Sequence, residues 1–269
     1  MLHSLKEKYG SLALIAGGSE GIGAAYAHYL AAAGFDLVLI ARRQSSLEDF
    51  AQAMRLQYQV QVDSICMDLA QPDAAQKLAT QLDGREIGIM VYNPGLSYIG
   101  RFEERPLEVH REIMQTNMLT LLELIHHFGQ SMLQRGRGAI ICMASLAGFQ
   151  GTGFIATYAA TKAFDQMLAE SLWYEWKGRG VDVIACCAGA TATPNFLNTR
   201  PAKQHFLAPK VQQPEDVVRE CFKHLGKRPS FISGRANKWA TFFMVRVLSR
   251  KKAVQTMGDT TTRMYMLKS

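Results

Sequence analysis

The stretch Ser11-Leu12-Ala13-Leu14-Ile15-Ala16-Gly17-Gly18-Ser19-Glu20-Gly21-Ile22-Gly23 runs from a short apolar segment into a cluster of glycines, and a helical pattern at 24–33 follows it. The apolar segment reads as a strand covered on both faces. Glycines let the chain turn tightly and bring its backbone close to a pyrophosphate, which would rest on the positive end of the following helix. The spacing of Gly17, Gly21 and Gly23 is G-x-x-x-G-x-G, with Ser19, Glu20 and Ile22 in between, rather than G-x-G-x-x-G. Alone, such a turn can be purely structural. Its place after the first strand points to a dinucleotide.

The same alternation continues outward from this turn. Aliphatic or β-branched runs at 11–16, 36–41, 62–67, 87–92, 139–143 and 181–187, with a weaker one at 230–233, predict strands. Helical patterns at 21–33, 45–58, 73–82, 107–134, 158–178 and 214–226 lie between them. Apolar strands that each lead into a helix predict an α/β fold, a doubly wound parallel sheet of the Rossmann type in three α/β/α layers. Ligands of such sheets bind beyond the carboxyl ends of the strands. A single domain over 1–235, with a C-terminal helical tail over 236–269, is expected.

The second strand ends in Leu39-Ile40-Ala41-Arg42-Arg43. An Asp or Glu is usual there when the ribose 2′-hydroxyl of NAD is bound. Two guanidinium groups instead match a 2′-phosphate, with its charge of about −1.5 to −2, so NADP(H) is expected over NAD. The plain alternative is a pair of solvated residues closing a strand.

Tyr158 and Lys162 stand one helical turn apart on one face. Bringing a phenol from a pKa near 10 to about 7 takes roughly 4 kcal/mol of preferential phenolate stabilisation. A nearby ammonium and an oxidised nicotinamide are suitable sources. Taken alone, the pair could be an ordinary exposed one. Two further residues count against that. Ser145 follows the apolar run at 139–143, where its hydroxyl could hold a carbonyl oxygen, and Asn117 interrupts a long helical pattern amid Leu and Ile.

With these residues the chain resembles the short-chain dehydrogenase/reductase family over about 8–235. The match includes Gly17, Gly21, Gly23, Asp68-Leu69, Asn93, Gly95, Asn117, Ser145, Tyr158 and Lys162. The resemblance implies that Tyr158 is the acid in ketone reduction and the base in alcohol oxidation, and that Ser145 polarises the carbonyl. It implies that Lys162 binds the nicotinamide ribose and tunes Tyr158, and that Asn117 shapes its helix to hold a relay water. Asp68 would meet the adenine, and Thr193, in Gly189-Ala190-Thr191-Ala192-Thr193, the nicotinamide amide; Leu69, Asn93, Gly95, Gly189 and Thr191 complete the expected cofactor contacts. Ala16, Tyr92-Asn93-Pro94-Gly95 and Ala188-Gly189 depart from the family pattern at scaffold or cofactor positions only. Lys8-Tyr9-Gly10, residues 23–27 and residues 86–91 are similar to the steroid dehydrogenase and long-chain ketoacyl reductase branch.

That branch implies a lipophilic ketone or alcohol, steroid-like or acyl-chain and possibly a thioester, with reduction the expected direction. Residues 192–213, with Pro194, Pro201 and Pro209, read as a substrate lid or a passive loop; Gly148, Phe149, Gly151, Gly153 and Phe154 are expected on the opposite wall. The rival to an enzyme is a non-catalytic NADP(H) sensor or scaffold of the same fold, which the loss of Asn117, Ser145, Tyr158 or Lys162 would have favoured.

The 269 residues are 48% apolar and carry a net charge of +7, which invites a macromolecular anion as partner. The charge is unevenly placed. Residues 1–199 hold 15 basic and 19 acidic side chains, a net of −4, whereas 200–269 hold 15 and 4, a net of +11. With no recognisable nucleic-acid module, nucleic acid is not expected. Residues 237–252 form a basic amphipathic stretch for which docking on the core or a twin subunit, an anionic membrane surface or an anionic substrate compete. The helices at 107–134 and 158–178 suit the dimers or tetramers of the family. Five cysteines without paired spacing predict reduced, buried thiols, no metal and a cytoplasmic protein; neither a signal peptide nor a membrane span is apparent.

Overall fold

The computed structural model describes residues 3–199 and 211–267. Seven parallel strands form one sheet: β1 Leu12–Ala16, β2 Asp36–Ala41, β3 Val62–Cys66, β4 Ile87–Tyr92, β5 Gly138–Ser145, β6 Val181–Ala188 and β7 Ser230–Ile232. Their spatial order is β3-β2-β1-β4-β5-β6-β7. All seven expected strands are present, within two residues at each end. The order reverses between β1 and β4, which opens a crevice at their carboxyl ends.

Side-chain alternation along each strand builds the two covering layers. Ala13, Ile15, Leu37 and Leu39 face one core with α2 (Gly21–Ala32), α3 (Gln44–Tyr58) and α9 (Pro214–His224). Leu14, Ala16, Val38 and Ile40 face the other, with α4 (Ala74–Gln81), α6 (Thr120–Arg135) and α7 (Ala156–Glu175). Central strands β1 and β4 are buried throughout, which is why they read as unbroken apolar runs.

The long helical pattern at 107–134 is α5 (Leu107–Met114) and α6 joined by a π-helical turn, Gln115–Leu119, with Asn117 at its centre. Two helices were not anticipated: α1 (His3–Tyr9) and the short α8 (Pro194–Asn198). The helical tail expected after 236 is broken into α10 (Arg235–Phe242), a second π turn at Phe243–Val247, and α11 (Arg250–Tyr265). Threonines are weak helix formers, and those of α11 turn their hydroxyls onto its own backbone. The hydroxyls of Thr256, Thr260, Thr261 and Thr262 each donate to the carbonyl four residues back, at 2.7–2.9 Å, and Ser249 caps its start. Residues 200–210, the middle of the expected lid, lie outside the described residues. Four cysteines are buried free thiols as expected; Cys66, at the end of β3, is exposed.

Candidate active site

The glycine turn is shaped by steric exclusion. Gly17 has a positive φ of 69°, and the amides of Gly17 and Gly18 both donate to Ile40 O on β2, at 2.8 and 3.1 Å. A Cβ on Gly23 would lie 1.9 Å from Gly17 O, so α2 starts in contact with the turn's backbone. No side chain caps α2, which leaves its first amides available to an anion beside Ser19, Glu20, Gly21 and Ile22 on the cavity wall. Thr193 closes over the turn, where its Cγ2 would be 2.8 Å from a Cβ on Gly21. Asn93 Nδ2 donates to Gly17 O at 3.2 Å and ties the end of β4 to the cradle.

Arg42 and Arg43 both reach the same cavity, but they differ. Arg43 is bonded to Glu20 at 2.6 Å, an exposed pair, which leaves Arg42 as the guanidinium not engaged with a carboxylate. Asp68 lines the cavity, with Oδ1 taking the Ala70 amide at 3.1 Å, and Leu69 O accepts from Thr120 Oγ1. Gly95 sits against the two catalytic candidates: a Cβ there would be 3.9 Å from both Lys162 Cε and Tyr158 Cε2. Gly189 and Thr191 lie on the far wall, and Thr191 Oγ1 donates to Gly189 O at 3.1 Å. This shape and charge suit a phosphorylated dinucleotide: a cradle that any Cβ would fill, an uncapped helix start and an available arginine.

Tyr158 occupies the first turn of α7 and Lys162 the next, with Nζ 5.9 Å from the phenol ring centre. Ser145 ends β5, its Oγ accepting the Ala147 amide at 3.2 Å. Ser145, Tyr158 and Lys162 line one cavity of about 1580 Å³ that is continuous with the glycine cradle. Asn117 does not line it. Fully buried in its π turn, it exchanges two 2.9 Å bonds with the backbone of Leu96 and donates at 2.9 Å to Thr161 Oγ1, which donates in turn to Tyr158 O. Asn117 thus fixes the first turn of α7 from behind. The sequence showed an interruption; the structure shows what it holds.

Lys162 is buried and donates to Met143 O at 2.8 Å, Asp165 Oδ2 at 2.9 Å and Pro94 O at 3.3 Å. Burial disfavours its charge, but the Asp165 carboxylate and the neighbouring Tyr158 outweigh that and raise its pKa above the ordinary lysine value. Asp165 was not singled out from sequence. Its signal was present: a carboxylate three residues past Lys162, on the same helix face.

The expected opposite wall needs correction. Gln150, Thr152 and Ile155 line the cavity there, rather than Gly148, Phe149, Gly151, Gly153 and Phe154. Gly151 and Gly153 lie under α11, where a Cβ would be 3.6 Å from Val254 and 3.4 Å from the Gly258 backbone. Gly148 packs on the backbone of Lys162, Phe149 joins a core cluster, and Phe154 borders a separate small pocket. These residues serve close packing. Met257 and Met264 of α11, with Phe243 and Met244 before it, bring apolar surface to this end of the cavity, alongside Asp259, Thr260 and Arg263 of the same helix.

A family model described as short chain dehydrogenase matches residues 11–204. The chain is 32% identical over 235 residues to a 7beta-hydroxysteroid dehydrogenase of Clostridium sardiniense, covering 87% of this chain and 90% of that one. It is 30% identical over 227 residues to the very-long-chain 3-oxoacyl-CoA reductase of Rattus norvegicus, covering 81% and 70%. A short-chain dehydrogenase from Sphingobium yanoikuyae, solved in complex with NADPH, superposes with a TM-score of 0.75 at 29% identity, covering 88% and 93%.

Proposed function

Because the chain belongs to the short-chain dehydrogenase/reductase family, we propose that it is an NADP(H)-dependent oxidoreductase that interconverts a ketone and a secondary alcohol on a lipophilic substrate, working chiefly as a reductase. The observation that carries this reading is the meeting of Ser145, Tyr158 and Lys162 in a cavity that runs into the glycine cradle. A sensor or scaffold would have no use for that set. Bound NADPH supplies the hydride. Tyr158 gives its phenolic proton to the carbonyl oxygen in reduction and takes it back in oxidation, while the Ser145 hydroxyl donates to the same oxygen. The Lys162 ammonium lies beside the phenol and would hold the cofactor's ribose, and Asn117 keeps Tyr158 in place through Thr161.

Arg42 is the proposed selector of the 2′-phosphate. A hydrogen bond to a charged group contributes about 1.5–3 kcal/mol, or roughly 10- to 100-fold in affinity. Arg42→Ala is therefore expected to raise KM for NADPH by about that factor and leave NADH unchanged. Arg43→Ala, which mainly frees Glu20, should do less. An NADPH-oxidation screen over 7-oxosteroids, 3-oxoacyl thioesters and ketones of graded chain length tests both points. No turnover of any ketone would reject the enzyme reading, and equal use of NADH and NADPH by the wild type would reject the role of Arg42.

The lipophilic assignment is supported by Phe243, Met244, Met257 and Met264 in the cavity lining and by the steroid and acyl substrates named for the relatives. A second copy would pack on the outer faces of α6 and α7, where Leu122, Met167 and Tyr174 stand exposed. A reducing cytoplasm suits the five free cysteines. No helix among the described residues is long and apolar enough to cross a membrane.

The stretch at 237–252 offers a separate surface. Asn237, Lys238, Thr241, Met244 and Leu248 are buried or half-buried and Phe243 borders the cavity, while Trp239, Phe242 and Val247 are more than half exposed beside Arg246, Arg250 and Lys251. No acidic residue occurs between Glu220 and Asp259, so a two-fold contact through this face would set like charges together. An anionic lipid surface fits it better. The protein should co-sediment with phosphatidylglycerol vesicles and not with phosphatidylcholine ones, and Trp239→Ala with Phe242→Ala should abolish the binding. Equal partition to both vesicle types would reject this contact.

A further inference from the structure

Every ion pair among the described residues has at least one substantially exposed member, with a single exception: Lys162 and Asp165, whose side chains are 3% and 1% exposed. A buried ion pair is seldom the most stable filling for its site, since apolar side chains of similar volume often do as well or better. Its place on α7, one turn beyond Tyr158, therefore calls for a use.

The bonding shows how the carboxylate is spent. Asp165 Oδ2 accepts a hydrogen bond from Lys162 Nζ at 2.9 Å, and Asp165 Oδ1 has no hydrogen-bond partner, nor has the neighbouring Gln166 Oε1. No backbone amide claims the carboxylate. It is held for Lys162 alone. On the other side, an ammonium has three donors. Met143 O and Asp165 fix two of them in short bonds, and the third makes the long 3.3 Å contact to Pro94 O beside the cavity.

We propose that Asp165 is a positioning residue: it clamps the Lys162 ammonium from behind so that one donor is offered to the cavity next to Tyr158. This rests on the oxidoreductase reading only for what that donor then does. The clamp also has an electrostatic side. Burial is the strongest influence on Lys162 and opposes its charge; Asp165 is the first of the groups that overcome it.

Burial raises the pKa of Asp165 itself, opposed by Lys162, and among the other groups facing the pair Tyr158 favours the Lys162 charge less than Asp165 does. Tyr92 on β4, Cys142 on β5 and Cys187 on β6 are pushed upward by burial and stay neutral in the working range. Glu170 on α7 is taken up by Gln166 and Ser230, and Glu123 on α6 bears on Tyr92. Without Asp165, burial prevails and Lys162 loses its proton at a lower pH than before.

Competitive labelling with acetic anhydride, read by peptide mass mapping across pH 6–11, tests this on the full chain, because only a neutral amine is acylated. The midpoint of Lys162 labelling, not its rate, reports the clamp. In Asp165→Asn that midpoint should fall by at least two pH units, roughly a 100-fold gain in the neutral fraction at pH 8. The alkaline limb of NADPH oxidation with a 7-oxosteroid should move down in parallel. Superimposable labelling curves in the two proteins, with activity lowered evenly at all pH, would mean a structural role and overturn the proposal. Should Asp165→Asn fail to fold, the wild type decides alone: a Lys162 midpoint at or below that of its exposed lysines overturns it. A shifted midpoint in a protein that reduces no ketone would reject the proposed reaction and leave the clamp standing.

Discussion

Tyr158→Phe should bind NADPH as the wild type does and turn over its ketone about 10³-fold more slowly, within the roughly 10²- to 10⁴-fold range of a lost general acid. The substitution removes one oxygen and little else. Tyr158 is anchored through its backbone, its carbonyl taking the Thr161 hydroxyl at 2.8 Å, so the ring should keep its place without the phenol. The cradle around Gly17 and Gly23 is built from β1, α2 and β4 and does not involve the phenolic oxygen. Ser145 remains to polarise the carbonyl but has no proton of suitable acidity to give. NADPH fluorescence titration and steady-state turnover together make the check. Undiminished kcat in this variant would remove Tyr158 from the chemistry.

Gly23→Ala should be the most damaging single methyl addition in the cofactor half of the molecule. The new Cβ would sit 1.9 Å from Gly17 O, 2.8 Å from Gly17 C and 3.0 Å from Asn93 Nδ2. Two of these are backbone atoms of the turn, which cannot swing aside as a side chain would. Either α2 moves off β1 or the turn opens, and both displace the amides that would face a pyrophosphate. Overpacking of this kind costs about 1–3 kcal/mol and occasionally more. We expect a melting temperature several degrees lower, by a rough conversion of such a loss for a chain of this size, and NADPH affinity reduced at least about 100-fold. Gly258→Ala is the control: a Cβ there meets nothing within 4 Å, and alanine favours a helix by about 0.5–1 kcal/mol. Equal affinities in Gly23→Ala and wild type would show that the turn does not hold the cofactor.

The sheet was readable because its strands are buried on both faces, so each strand appears as an apolar run that no surface element shares. The chemistry was readable for a related reason. Tyr158 and Lys162 lie on one helix and Gly17, Gly21 and Gly23 in one turn, so their geometry is set by local spacing. Where the guess relied on neighbours distant in sequence, it failed or stopped short. Gly151 and Gly153 were expected on the pocket wall opposite the lid and proved to be the floor under α11, a helix more than 90 residues away. Helix α11 presents Ala253, Met257 and Met264 on one face, but that this face meets the cavity depends on packing across the fold.

Local spacing and burial of whole segments are properties of the chain, and they were enough to specify the parallel sheet, the glycine turn and the Tyr158–Lys162 pair. Three things were decided only by packing in three dimensions. Arg43 is drawn to Glu20, which distinguishes Arg42 from it although the two are adjacent in sequence. Asn117 reaches across to Leu96 and Thr161, and so becomes a brace rather than a cavity residue. Asp165 is buried with no backbone donor, facing Lys162. In each case the side chain's character follows from which partners remain once the surrounding elements have excluded solvent, and that is set by tertiary contact.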